Sequence, residues 1–185
     1  MGRLVDDDLG GGDRDRTAVA AALRAGPGPH RVGVPVLVRV VVINVGTARV
    51  WMTGVLDGSE TATRRPYYRP TVLRDGEIVA APPQPEDPLV GPLRPEDFRR
   101  LEPGQWFDPT DRSGGPAYLP LSTFDSFRPN RPGTYRYTLV LDTTGPEEQW
   151  MGRFGQEPFR AGVLPLLALV PKVVLNAVVD IDVEP

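Results

Sequence analysis

The sequence predicts an all-β protein: an antiparallel β-sandwich of about seven short strands with long Pro-rich loops. Two observations carry this. Runs of period-two alternation recur along the chain, at 34–43, 135–142 and 172–184. Turn residues separate them, with 22 prolines and 20 glycines in 185 residues, well above ordinary usage. That punctuation leaves room for little helix.

Taken in order, residues 1–16, MGRLVDDDLGGGDRDR, read as a flexible acidic arm, and 17–185 as a single domain. The aspartates of the arm do not follow an EF-hand spacing, since position six lacks glycine and position twelve glutamate. Residues 17–26, TAVAAALRAG, are ambiguous between a helix, which the alanines favour, and a first strand. GVPVLVRVVVINVG, 33–46, is a strong central strand, and TARVWMTGVL, 47–56, the next, with Trp51 as a core residue. TVLRDGEIVA, 71–80, is a hairpin turning at Asp75-Gly76. A proline-rich connection follows, and PEDFRRL, 95–101, has the proline and acids of a single helical turn. LEPGQWFDPT, 101–110, turns into a short strand, and 111–124 reads as loop. RPNRPGTYRYTLVLD, 128–142, is turn chemistry followed by strict alternation, with Tyr135, Tyr137, Leu139 and Leu141 on one face. KVVLNAVVDIDVE, 172–184, alternates as well and closes the sheet.

GVPVLVRVVVINVG, LRDGEIV, LEPGQW and RPGTYRYTLVL, in that order, resemble the immunoglobulin-like domains of many bacterial proteins over residues 30–142. The resemblance implies an immunoglobulin-like sandwich and no particular activity. It also implies a structural role for Tyr135, whose hydroxyl would turn back to upstream backbone as a tyrosine corner. The chain departs from antibody domains in having no cysteine pair and an unusually long connection, 143–171, between its last two strands.

Composition excludes several classes of function. With no cysteine there is no disulfide, thiol nucleophile or thiolate metal site. A formal charge of -3 argues against a general nucleic-acid binder, although 20 of the 21 basic residues are arginine. No basic and apolar leader opens the chain, and Asp6 stands where a myristoylation motif requires Ser or Thr, so a cytoplasmic location is the default expectation. The apolar run 161–179 contains Pro165, Pro171, Lys172 and Asn176, which argues against a membrane span. No cofactor or metal is expected. His30, the one histidine, lacks partners for a zinc site, and no phosphate-binding glycine motif is present. The carboxylate pairs Glu86/Asp87, Glu96/Asp97 and Glu147/Glu148 are read as surface charge, with a carboxylate-dependent hydrolase the less favoured alternative.

Two segments carry more aromatic and arginine content than loops need. In EEQWMGRFGQEPF, 147–159, Trp150, Met151, Arg153, Phe154 and Phe159 form the main candidate for partner binding, with Trp150 and Phe154 as anchors. The competing reading is a lid whose aromatics cap the sandwich. In RRPYYRP, 64–70, the residues Arg64, Arg65, Tyr67, Tyr68 and Arg69 form a secondary candidate for an anionic or planar ligand. An edge strand kept open by proline and charge is the preferred reading there. The expected function is a non-catalytic interaction module for a protein partner, or a carbohydrate, bound through end loops. A loop-inserting protease inhibitor is the alternative.

Overall fold

The computed structural model describes residues 18–85, 89–113 and 118–185. The acidic arm and the pair Glu86/Asp87 lie outside the described residues. Strand accounts for 37% of the described residues and helix for 14%, in antiparallel sheets.

The first strand, β1 (Val19–Ala25), settles the ambiguity of 17–26. Its register is antiparallel to β3 (Val38–Asn44), from Val19 opposite Asn44 to Ala25 opposite Val38. Val19 and Leu23 alternate into the core, and this period of two overrides the helix propensity of the alanines. β8 (Trp106–Phe107) adds to the far side of β3 and completes a three-stranded sheet. β4 (Val50–Thr53) and β7 (Phe98–Leu101) form a separate antiparallel ribbon.

The larger sheet has the order β2 (His30–Arg31), β10 (Val174–Glu184), β9 (Gly133–Asp142), β5 (Tyr67–Arg74) and β6 (Glu77–Ala80). All its pairings are antiparallel except β2 on β10. β9 is the central strand, and Tyr135, Tyr137, Leu139 and Leu141 are all buried on its inner face. At the β5–β6 hairpin Asp75 and Gly76 have φ of 53° and 82°. Two successive positive φ values make the primed turn that suits the twist of a hairpin. β1 lies against β10 and β9, and the inner faces of the sheets share one continuous core.

Two expectations about connections are corrected. Only Pro95–Asp97 of PEDFRRL is helical, a single 3-10 turn closed by the Arg94 N–H donating to Asp97 Oδ2 at 2.8 Å. Phe98 and Leu101 are then drawn into β7 by burial. The stretch 111–124 is not all loop, because α1 (Ser122–Ser126) begins there. Glu60, far away in sequence, caps it by accepting the Ser122 and Thr123 N–H groups, each at 2.8 Å. The connection 143–171 contains a 3-10 turn, Glu147–Gln149, and the helix α2 (Glu157–Leu167). The apolar run 161–179 is therefore divided between the end of α2, a turn and the start of β10. No helix among the described residues is long and apolar enough to cross a membrane.

Candidate functional site

The excursion 143–171 leaves the sheet at the end of β9 and returns at the start of β10. Thr143 staples its two ends: its hydroxyl donates to Pro171 O at 2.5 Å and accepts the Val173 N–H at 2.9 Å. Beyond the staple, the 3-10 turn delivers Trp150 inward, and the indole is 0% exposed. The Lys172 ammonium sits 5.1 Å from its ring centroid. Met151 is buried beside it, and α2 adds Val163 and Leu167 to the core.

Gln156 organises the turn between Trp150 and α2. Its Oε1 accepts the N–H groups of Leu93 and Gly152, both at 2.8 Å, and its Nε2 donates to Leu93 O at 2.8 Å. A buried side-chain amide thus clips the excursion to the loop 89–93. Gly152 makes this possible, because a Cβ there would come within 2.2 Å of Gly91 O. Between these two fixed points the chain projects outward as Arg153, Phe154 and Gly155. Phe154 is 63% exposed, and Gly155 takes a φ of +66° to complete the bend.

The five predicted residues of this segment therefore separate. Phe154 and Arg153 face solvent, and Phe159 is half-buried with the Arg94 guanidinium 5.3 Å from its ring centroid. Trp150 does not stand as a partner anchor. The Gln156 clip and the packing of α2 enclose it, so its role is to hold the projection in place. Met151 shares that role.

The second candidate segment abuts the first. The Arg65 N–H donates to Gln149 O at 2.8 Å and its Nε to Gln149 Oε1 at 2.6 Å. Its Nη1 pairs with Asp142 at 2.6 Å, and the guanidinium lies 4.0 Å from the Tyr67 ring centroid. Arg64 is only 4% exposed and donates to Gly91 O at 2.7 Å. Burial pushes its pKa down, against the opposing pull of Asp97 and Asp57. Tyr68 is buried, with its hydroxyl donating to Thr53 O at 2.8 Å, and burial raises its pKa well above the ordinary phenol value. Only Arg69 of the five is exposed. Arg64, Arg65, Tyr67 and Tyr68 are occupied with one another's surroundings and brace the base of the excursion.

Tyr135 is buried, and its hydroxyl donates to Arg131 O at 3.0 Å, four residues upstream. Of the carboxylate pairs within the described residues, Asp97 is engaged with the Arg94 N–H, and Glu147 and Glu148 are exposed on the 3-10 turn. His30 lies in β2 opposite Val183. Gln156 was not legible as a key residue. Its signal, a polar side chain just ahead of Glu157-Pro158 at a helix start, is common to many helix starts that bind nothing.

Fold and site together define an all-β protein carrying a braced, outward-pointing aromatic on a long inter-strand excursion. No protein-family model, no curated protein and no solved structure matches this chain.

Proposed function

We propose that the chain is a non-catalytic, immunoglobulin-like interaction module that binds a protein partner through the tip of the 143–171 excursion. The order β1-β3-β8 and the order β10-β9-β5-β6 correspond to strands A-B-E and G-F-C-C′ of that architecture, which supports the reading. The excursion then occupies the F–G connection, a recognition loop in variable-type domains.

One observation carries the proposal. Phe154 is left 63% exposed at the tip, while Trp150 and Gln156 on either side of it are buried. A large apolar side chain on a pre-organised projection loses little conformational freedom on binding, which favours its use as an anchor. Arg153 beside it supplies a polar contact.

Pull-down from an extract of the source organism, read by mass spectrometry, tests this with two variants. Phe154→Ala should keep the wild-type melting temperature and lose the captured partner. Trp150→Ala should cost about 3–5 kcal/mol of stability through the cavity it leaves. Equal capture by Phe154→Ala and wild type would remove the tip from the interface. Bracing on both sides is also what a loop-inserting protease inhibitor requires, so a panel of proteases is the test of that second reading.

A further inference from the structure

The outer face of the three-stranded sheet carries a second surface that shares no residue with the excursion. Residues paired across strands point to the same side of a sheet. Opposite pairs place Ala20 beside Ile43, Ala22 beside Val41, and Arg24 beside Arg39, while Trp106 pairs with Ile43 from the other side. The inward partners Leu23, Val40, Val42 and Phe107 are buried, so these rows face outward. Trp106 is 62% exposed. Arg99 reaches in from β7, with its guanidinium 5.7 Å from the Phe107 ring centroid. Arg24, Arg39, Val41, Arg99 and Trp106 line a groove of about 570 Å³ together with Asp108, Asp111 and Ser113. That volume lies within the range of small-ligand sites.

Arginines outnumber carboxylates three to two around this groove. Like charges directly opposite one another on neighbouring strands destabilise a sheet. Among the described residues, Arg24, Arg39 and Arg99 form no ion pair and no hydrogen bond through their guanidiniums. The two nearby carboxylates take their hydrogen bonds locally, and the Asp111 pKa is lowered first by those from Ser113 and then by the charges of Arg99 and Arg39. Asp108 Oδ1 accepts the Thr110 N–H at 2.9 Å and hydroxyl at 2.7 Å. Asp111 Oδ1 accepts the Ser113 N–H at 2.8 Å and hydroxyl at 2.7 Å. A sheet that sets two arginines opposite one another with no direct ion pair, next to an exposed indole and with one more cation than anion around the groove, is arranged for an anion from outside.

We infer that this groove binds an oxyanion carried on a flat apolar body, an aryl phosphate or aryl carboxylate. The paired guanidiniums of Arg24 and Arg39 take the oxyanion through planar, charge-assisted hydrogen bonds. Arg99 adds a third positive charge, and Trp106 packs on the ring.

The test is titration of the full chain, at constant ionic strength, with phenyl phosphate and benzoate, and with inorganic phosphate and benzyl alcohol as controls. Tryptophan fluorescence and the backbone amide shifts of β1 and β3 are the readouts. The expected result is saturable binding of at least one aryl anion, about tenfold or more tighter than either control. The aryl anion that binds more tightly identifies the oxyanion. Arg24→Gln/Arg39→Gln should weaken it by about tenfold or more, with a melting temperature equal to or above wild type, since the like-charge pair is relieved. Trp106→Phe should abolish the fluorescence change and keep the amide shifts. The inference is overturned by non-saturable shifts, by equal binding of benzyl alcohol or inorganic phosphate, or by unchanged affinity in the double arginine variant.

Discussion

Tyr135 and Gln156 show how much a single polar atom decides in this protein. The Tyr135 hydroxyl ties β9 to the turn before it, through Arg131 O at 3.0 Å, with the Phe127 ring packed 5.6 Å away. Tyr135→Phe keeps the ring contacts but removes that bond and the hydroxyl's longer contacts with Asn130 Oδ1 and the Arg131 N–H, both at 3.3 Å, so a loss of about 1 kcal/mol or somewhat more is expected by chemical denaturation. Gln156 is more consequential. Gln156→Leu leaves the Leu93 N–H, the Leu93 carbonyl and the Gly152 N–H without their partner. Each such group costs roughly 1–3 kcal/mol when buried. Thermal melts should show a loss well beyond that of Tyr135→Phe, and hydrogen exchange should quicken at Leu93 and Gly152. A variant as stable as wild type would mean that water replaces the amide.

At the scale of elements, the Arg65–Asp142 pair locks the start of β5 to the end of β9, where Tyr67 and Asp142 are register partners. Burial alone would raise the Asp142 pKa. Hydrogen bonds from Arg65 and from Thr144 outweigh it and hold the carboxyl below its ordinary value. A folded-state pKa below the unfolded value of about 3.9 contributes stability that is complete above that pH. The contribution is lost as pH falls through the lowered folded-state value. Arg65→Gln should therefore be less stable than wild type at pH 7, and the gap should close in acid. Melting curves collected from neutral pH into acid check this, and a gap that stays constant would assign the effect to packing on Tyr67. At the β5–β6 hairpin Asp75-Gly76 sets the turn, and the register then shifts between Val72 and Leu73.

Over the whole molecule, what was legible in the sequence is what depends on near neighbours. The alternation of β9 and β10 and the Asp-Gly hairpin are local patterns, and the strands form there. α2 was hidden because Gly162 and Pro165, inside it, both lower helix propensity within one short segment. It forms because Val163 and Leu167 have a core to enter. The true environment of Trp150 was hidden for a similar reason. It is enclosed by contacts between Gln156 and Leu93 and between Gly152 and Gly91, each bridging about sixty residues of chain. The arginine groove was hidden because Arg24 and Arg39 meet only through the β1–β3 register, and Arg99 comes from a separate ribbon. Periodicity assigns a residue to a face, and only the pairing of strands decides which charges end up side by side.

Lys172 is the sole lysine in the sequence, and its ammonium rests over the Trp150 ring. Burial first, and then the nearby Arg65 charge, depress its pKa, so more of it is the free amine at a given pH than for an ordinary lysine. An amine-reactive dye can therefore attach at one side chain alone, at the base of the excursion. There it lies against a tryptophan able to act as its quencher or energy donor, giving the excursion an optical reporter without any engineered residue.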